Sequence, residues 1–488
     1  MKDVILSIDQ GTTGSTALFL DRDVQVVASH NTEFPNHYPQ EAWVEHDIHE
    51  IWSSVSSAIQ KAKQKALAHR IVAIGITNQR ETCLFWDRKT GEPIHRALVW
   101  QDRRTADFCQ ELKDQGLEER IRSKTGLVLD PYFSGTKAKW TLDHVEGARE
   151  KAKRGDILFG TIDTWLIWKL CGAHVTDPSN ASRTLLYNIE TQDWDEELLS
   201  IFDVPRECLP KVVDNAGIMG HTKGVDCLDD GIPVSGVAGD QQSALFGQAC
   251  FEAGEAKCTY GTGAFVLMNT GTSRITSNNR LLTTIAWRLN GVTSYALEGS
   301  AFVAGAAVQW LRDGLGIIRS APEVEELATS VESSKGVAFV PALAGLGAPH
   351  WRPEARGVLC GITGGTTKAH VARAVLEGVA LQNVDILKAM SADANCPIKA
   401  LKVDGGMSKN NFLMQFQADV LGVDCIRPTV LETTALGAAF LAGLGVGIWS
   451  DTEAVRTAWK RDRLFVAKMD QEKKENFLSL WQRAISKA

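Results

Sequence analysis

The sequence predicts an α/β protein of two related lobes around a central cleft, and three observations carry that expectation. The chain opens with a strand–turn–strand unit, Val4 to Leu20, whose turn Asp9-Gln10-Gly11-Thr12-Thr13-Gly14-Ser15-Thr16 is crowded with glycine and hydroxyl residues. A weaker copy restarts after Phe251, with Gly261-Thr262-Gly263 at its tip. Around both units, buried-strand patterns alternate with helix patterns, and several strands end in charged or glycine-rich turns, where open α/β sheets bind ligands.

The opening turn pairs glycines, which let backbone N–H groups come close to a ligand, with hydroxyls suited to phosphate oxygens. It lacks the Gly-Lys-Ser/Thr of a Walker A loop, and a strand follows it where a Rossmann fingerprint needs a helix. Taken alone, an ordinary Gly/Thr hairpin tip would look the same. Val24 to Ala28 reads as a third strand, so the sheet begins as a meander. Asp47 to Ala68 is helix-like, with Ile51, Val55, Ile59 and Ala62 on one face. Ile71 to Ile76 is a buried strand that runs into Thr77-Asn78-Gln79-Arg80-Glu81. Cys83–Trp86 and Ala97–Trp100 read as further strands, the second leading into Gln101-Asp102-Arg103-Arg104. Asp163 is placed to cap a helix through Leu170.

Val234 to Gly239 then forms a strand into the turn Gly239-Asp240-Gln241-Gln242, with a helix expected through Gly247. In the second half, Ala256–Tyr260 and Ala264–Met268 flank the second tip. The strand Ala400–Val403 leads through Asp404-Gly405-Gly406 to a helix from about Lys409 to Leu421. That glycine pair offers backbone N–H groups and a positive dipole end to an anion or nucleotide, although a tight strand-to-helix turn has the same signature. Ala435, Ala438, Ala439 and Ala442 line one face of a helix over Glu432–Leu444, which close packing explains without a ligand. Phe477, Leu480, Trp481 and Ile485 mark a terminal amphipathic helix.

The chain of 488 residues suits roughly two to four domains with ample core. Its composition is 44% hydrophobic and 23% charged with net charge −7, so a nucleic-acid footprint, which needs clustered Lys and Arg, is not expected. No apolar run reaches membrane-spanning length, and the first residues lack the pattern of a signal peptide. Ten cysteines without a C-x-x-C pair read as reduced thiols of a cytoplasmic protein, not as a metal site. In that compartment the sequon Asn180-Ala181-Ser182 is idle.

Two Gly-Thr hairpins with a Gly-Gly turn resemble the actin-like ATPase (ribonuclease H-like) fold shared by sugar kinases, actin and chaperones. The stretches between them select a branch. Asn78-Gln79-Arg80-Glu81-Thr82, Trp100-Gln101-Asp102-Arg103-Arg104-Thr105 and Pro131-Tyr132-Phe133-Ser134-Gly135-Thr136-Lys137 resemble the glycerol kinases of the FGGY carbohydrate kinase family. So do Asn180-Ala181-Ser182-Arg183-Thr184, Gly239-Asp240-Gln241-Gln242, Tyr260 to Phe265, Tyr295-Ala296-Leu297-Glu298-Gly299 and Gly345-Leu346-Gly347-Ala348-Pro349-His350-Trp351. Each motif alone is weak, but their number and order along nearly the whole chain are specific.

The resemblance implies an enzyme that phosphorylates glycerol from ATP with Mg2+. It implies glycerol contacts from Arg80, Glu81, Tyr132, Asp240 and Gln241, aromatic walls at Trp100 and Phe265, and Asp240 as general base. It implies nucleotide contacts from Thr12, Thr13, Gly14, Thr262, Gly305, Gln309, Gly406 and Asn410, with Asp9 near the metal. A cytoplasmic homo-oligomer, dimer or tetramer, is the implied assembly, with lobes over residues 1–248 and 249–488. The residue types suit such a substrate, because three hydroxyls need acceptors and donors, and three carbons need an apolar wall. Two departures stand out. Thr16 occupies a position where many relatives carry Arg. The acidic stretch Cys227 to Pro233 replaces a Gly-rich, Arg-bearing loop that binds fructose bisphosphate in some relatives, so that regulation is not expected. The rivals are a kinase of a larger polyol or ketose and, from another class, an actin-like or chaperone ATPase.

Overall fold

The computed structural model describes residues 2–488. In the first lobe, β1 (Lys2–Gln10), β2 (Gly14–Leu20) and β3 (Val26–Glu33) form the expected meander. α1 (Ile48–Lys65) is capped by Asp47, whose carboxylate accepts from His49 N–H at 2.9 Å. It ends three residues before Ala68 because the chain must turn into β4 (His69–Asn78), which lies parallel to β1. Burial of Ile51, Val55, Ile59 and Ala62 under the sheet accounts for the spacing of that helix.

The strands Cys83–Asp87 and Ala97–Leu98 leave this sheet and join Glu45–His46 and Ile157–Thr161 in a separate four-stranded one. The second strand stops at Leu98, two residues earlier than expected, which frees Trp100 for the cleft.

α2 (Ile162–Cys171) corrects one expectation. Its N-cap residue is Thr161, and Asp163 lies inside the first turn, fully buried. The Asp163 carboxylate accepts from the hydroxyls of Thr161 and Thr176, at 2.5 and 2.7 Å, so side-chain donors supplied by the fold replace the capping role. Burial and the neighbouring charge of Asp177 push its carboxyl up to about 7. β5 (Ala216–His221) and β6 (Pro233–Gly239) complete the sheet in the order β5-β6-β4-β1-β2-β3, and α3 (Asp240–Gly247) follows β6 directly.

The second lobe repeats this plan. β7 (Glu255–Tyr260) and β8 (Ala264–Gly271) flank the second tip, β9 (Leu282–Leu289) and β10 (Val292–Ala301) form a hairpin, and α4 (Gly305–Gln309) follows. α5 (Lys368–Ala394) is buried on most of its faces. β11 (Ala400–Asp404), α6 (Asn411–Leu421) and β12 (Cys425–Pro428) lead to α7 (Thr433–Gly445). β13 (Arg461–Phe465) and α8 (Gln471–Ile485) finish the chain. The sheet order is β9-β10-β8-β7-β11-β12-β13. β7 takes the place of β1, and the parallel strand β11 that of β4.

The alanine-lined helix α7 does not stay with its own lobe. It lies on the first sheet and α3, so closely that a Cβ at Gly75 would overlap the Ala438 carbonyl, and one at Gly236 the Ala442 backbone. Ser235 Oγ donates to the Ala442 carbonyl at 3.0 Å across this contact. Small residues on both sides are the condition for such an approach. Among the described residues all ten cysteines are free, and no helix is long and apolar enough to cross a membrane.

Candidate active site

The turn after β4 is the centre of the site. Thr82 N–H bonds back to the Arg80 carbonyl at 2.7 Å, and Glu81 at its apex has φ +63°, a costly conformation for a glutamate. The arrangement presents two charged side chains at one strand end, and both are buried. The Arg80 guanidinium donates to Glu298 twice, Nη1 at 2.6 Å and Nη2 at 2.8 Å, and to Gln242 Oε1 at 3.2 Å. Its Nε lies 3.0 Å from Asp240 Oδ1. Arg183 Nε donates to Glu81 Oε1 at 2.6 Å and Arg183 Nη2 to Glu298 Oε1 at 3.2 Å.

Four buried charges thus alternate in sign, which is what makes their burial tolerable. Burial alone would raise the Glu298 carboxyl, but Arg183 and Arg80 overturn that and hold it at about 2. In Glu81 burial prevails over Arg183 and Arg80, and its carboxyl is raised. Sequence reasoning gave Arg183 and Glu298 no role. They lie 102 and 115–218 residues from the groups they touch, and the one available signal was their presence in two of the resembling motifs.

Asp240 opens α3 at the end of β6, where its Oδ1 accepts from Gln241 N–H at 2.7 Å. Gln241 Oε1 accepts from Lys257 Nζ, a fully buried lysine on β7 that also donates to Thr259 Oγ1 at 3.0 Å. Asp9, at the end of β1, is pushed up to about 7 by burial and then by the charge of Asp240. Across from it on β2, Thr16 Oγ1 accepts from Asn31 Nδ2 at 2.9 Å, so the residue found in place of Arg is tied into the sheet.

The aromatic side of the site is built by Trp100 and Tyr132, whose rings meet edge to face at 5.4 Å. Trp100 Nε1 donates to Thr12 Oγ1 at 2.9 Å, which joins this wall to the first hairpin tip. Burial raises the Tyr132 hydroxyl well above its ordinary range, with the charge of Glu81 adding to it. Phe265 does not stack on Trp100, since no ring pair joins them among the described residues. It is half-buried on β8, opposite Thr259 and Ser300, while Leu267, two residues on, is opposite Lys257 and Glu298. Directly opposed residues share a face of a sheet, so Phe265, Lys257 and Glu298 project from the same one.

The expected nucleotide residues form two groups. Gly11 N–H closes the first tip on the Gly14 carbonyl at 2.9 Å, with Thr13 exposed and Thr12 and Gly14 half-buried. At the second tip the Thr262 carbonyl accepts from Ala304 and Ala306 N–H at 2.8 and 3.0 Å, and Gly305 N–H reaches the Gly261 carbonyl at 3.0 Å. Gly405, at φ +82°, passes over Tyr260 so closely that any Cβ would overlap its backbone, which brings the exposed Gly406 against the second tip. Asn410 Oδ1 caps α6 through Leu413 N–H at 2.8 Å, so only its amide nitrogen is unbonded among the described residues. Gln309 is exposed at the end of α4, and its side chain makes no hydrogen bond among the described residues.

The N-terminal domain of the FGGY family of carbohydrate kinases matches residues 4–247, and its C-terminal domain matches residues 256–446. The chain is 58% identical over 490 residues to a glycerol kinase of Myxococcus xanthus, covering 99% of each chain. It is 55% identical over 488 residues to glycerol kinase 2 of Thermotoga maritima, covering 99% of this chain and 98% of that one. The crystal structure of Plasmodium falciparum glycerol kinase with ADP superposes with a TM-score of 0.95 at 38% identity, over 100% of this chain and 98% of that one. A ligand-bound xylulose kinase from Lactobacillus acidophilus shares the fold, with a TM-score of 0.89 at 23% identity over 99% and 97% of the two chains. The repeated sheets are the two lobes of the actin-like ATPase fold, and the chain belongs to the FGGY family of carbohydrate kinases.

Proposed function

We propose that this chain transfers the γ-phosphoryl group of MgATP to a terminal hydroxyl of glycerol, giving ADP and glycerol 3-phosphate. One observation carries the reading. Each of the five polar side chains expected to face glycerol has a polar atom left uncommitted among the described residues, and in all but Tyr132, which has a single one, the other polar atoms are engaged. These atoms are Glu81 Oε2, Asp240 Oδ2, the amide nitrogen of Gln241, the Tyr132 hydroxyl and one N–H on Arg80 Nη2. None of them is sealed away from solvent without a partner. Two acceptors and three hydroxyl or N–H donors beside aromatic rings match a small triol.

In this mechanism Asp240 Oδ2 takes the proton of the attacking hydroxyl as the new O–P bond forms and the bond between the β- and γ-phosphates breaks. Arg80 and Gln241 N–H hold the other oxygen of that carboxylate, so the base has a fixed direction. The hairpin tips and the Gly405-Gly406 turn offer backbone and hydroxyl donors to the phosphates. Trp100 and Phe265 limit access of water, which would otherwise compete with glycerol.

The residues suit a magnesium ion carried in with the nucleotide. Burial first and the charge of Asp240 second oppose ionisation of Asp9, and a cation beside it would offset both. No group of three or more acidic, His or Cys ligands occurs among the described residues. A magnesium site completed by phosphate oxygens and water needs only one or two carboxylates. When bound, the ion would neutralise charge on the β- and γ-phosphates.

A cytoplasmic homo-oligomer, dimer or tetramer, and lobes spanning residues 1–248 and 249–488 belong to the same reading, on resemblance. An ADP-coupled assay of ATP with glycerol, dihydroxyacetone, xylulose and gluconate tests the function. Glycerol is expected to have the highest kcat/KM, and a higher value for xylulose or gluconate would overturn the reading.

A further inference from the structure

Resting on the glycerol reading, we propose that two side chains of the second lobe, Lys257 and Glu298, are positioning residues that select which atoms of Gln241 and Arg80 a polyol meets. Neither needs to touch substrate. Both project from one face of the second sheet, where they stand opposite Leu267 on either side of β8. From there each reaches a residue of the first lobe that carries an uncommitted donor.

An ammonium group has donors only, so the contact of Lys257 Nζ with Gln241 requires the amide oxygen to face the lysine. The amide NH2 is therefore turned the other way. Without Lys257 the amide is free to flip and offer an acceptor where a donor is wanted. Glu298 acts similarly on Arg80. By accepting from both terminal nitrogens at 2.6 and 2.8 Å, it fixes the guanidinium plane and leaves Nε against Asp240. Arg183 holds Glu298 in turn at 3.2 Å, and its guanidinium sits over the Phe133 ring at 5.2 Å.

Charge supports the assignment. Arg80 and Arg183 are paired with Glu81 and Glu298 in a buried cluster that reaches the part-exposed Asp240, and Lys257 joins it through Gln241. Burial pushes the Lys257 ammonium down, and Asp404 and Asp240 oppose this. Purely structural contacts would have no need to end on two side chains expected to face the substrate.

The test measures kcat/KM for glycerol, propane-1,2-diol and propane-1,3-diol with wild type, Lys257→Met and Glu298→Gln. A site that bonds a substrate hydroxyl discriminates against an analogue lacking it. Either variant is expected to lower kcat/KM for glycerol about 10- to 100-fold, the range for losing a charged hydrogen bond. At least one diol is expected to be hardly affected, so the preference for glycerol over it falls by a similar factor, and KM for MgATP stays within about twofold. A merely structural role would lower all three substrates together, and an unchanged preference ratio in a folded variant overturns the proposal. Lys257→Met removes one charge at the edge of the cluster and decides the matter if Glu298→Gln does not fold. A wild-type enzyme inactive on glycerol would remove the functional reading itself, whereas an active one with unaltered variant preferences removes only the positioning role.

Discussion

The two lobes carry the same strand–turn–strand unit, but their cleft edges differ in charge and in wiring. On the first, Asp9 stands two residues before the tip glycine. On the second, the matching place is Thr259, and a lysine lies two residues further back. The first tip is held by side chains, through Thr12 to Trp100 and from Gln79 Nε2 to the Gly11 carbonyl at 3.2 Å, beside one backbone bond from Phe34 N–H to the Thr13 carbonyl. The second is held by backbone N–H groups from the start of α4. A duplicated unit has therefore been wired differently in its two copies: the first tip is tied through Thr12 to the aromatic pair of Trp100 and Tyr132, the second to the start of α4.

The largest effect should come from the acidic edge. Asp240→Asn keeps size and hydrogen bonding but cannot accept the proton, so kcat should fall roughly 10²- to 10⁴-fold, with KM for MgATP little changed in steady-state assays. Retention of more than about a third of wild-type kcat would pass the role of base to another group, Glu81 first.

Asp9 supplies a pH signature at the first tip. Its carboxyl is raised from 3.8 to about 7, so in the free enzyme it holds a proton that the unfolded chain has already lost between those values. Its contribution to folding stability therefore falls as pH rises through that window and is unfavourable above it. If Asp9 meets the magnesium of MgATP as proposed, binding needs its ionised form, and KM for MgATP should rise about tenfold per pH unit below pH 7. Asp9→Asn should flatten that profile between about pH 5.5 and 8, and an unchanged slope would assign the effect elsewhere.

Phe265→Ala should raise KM for glycerol about tenfold with a smaller loss in kcat, because the wall contacts ground and transition states alike. A drop in thermal stability alone, with KM intact, would make Phe265 a packing residue. The smallest effects compare the tips directly. Thr12→Val should raise KM for both glycerol and MgATP about fivefold by stranding the Trp100 N–H. Thr262→Ala should change only KM for MgATP, by about twofold, since its hydroxyl has no link to the aromatic wall. Equal effects of the two variants on glycerol would erase the distinction between the lobes.

Much of this arrangement was legible in the sequence where local rules govern it. The hairpins, the Arg80-Glu81 strand end and the Asp240 turn are written in contiguous residues, and α1 by a one-sided apolar pattern. α5 was not legible, because a helix buried on most faces has no polar stripe to reveal its period. Asp163 misled because a carboxylate near a helix start has the sequence of a cap, and only the fold brings the hydroxyl of Thr176 to it. Lys257, Arg183 and Glu298 escaped for a related reason: contacts between side chains far apart in the chain leave no spacing in it. One faint sign was a lysine in the midst of the buried strand Ala256-Lys257-Cys258-Thr259-Tyr260.

The fit of α7 against the first sheet bears on how such a protein tolerates inheritance of error. In a selection for growth on glycerol, Gly75→Ala and Gly236→Ala should be lost as completely as changes at Asp240, because no side-chain rearrangement can relieve an overlap with helix backbone. Such alleles would cluster in a second patch, away from the chemistry, and look like a second active site on a phenotype map. Abundance measured beside growth would separate the two patches: the glycine alleles vanish from the cell, while the Asp240 alleles persist as intact, silent protein.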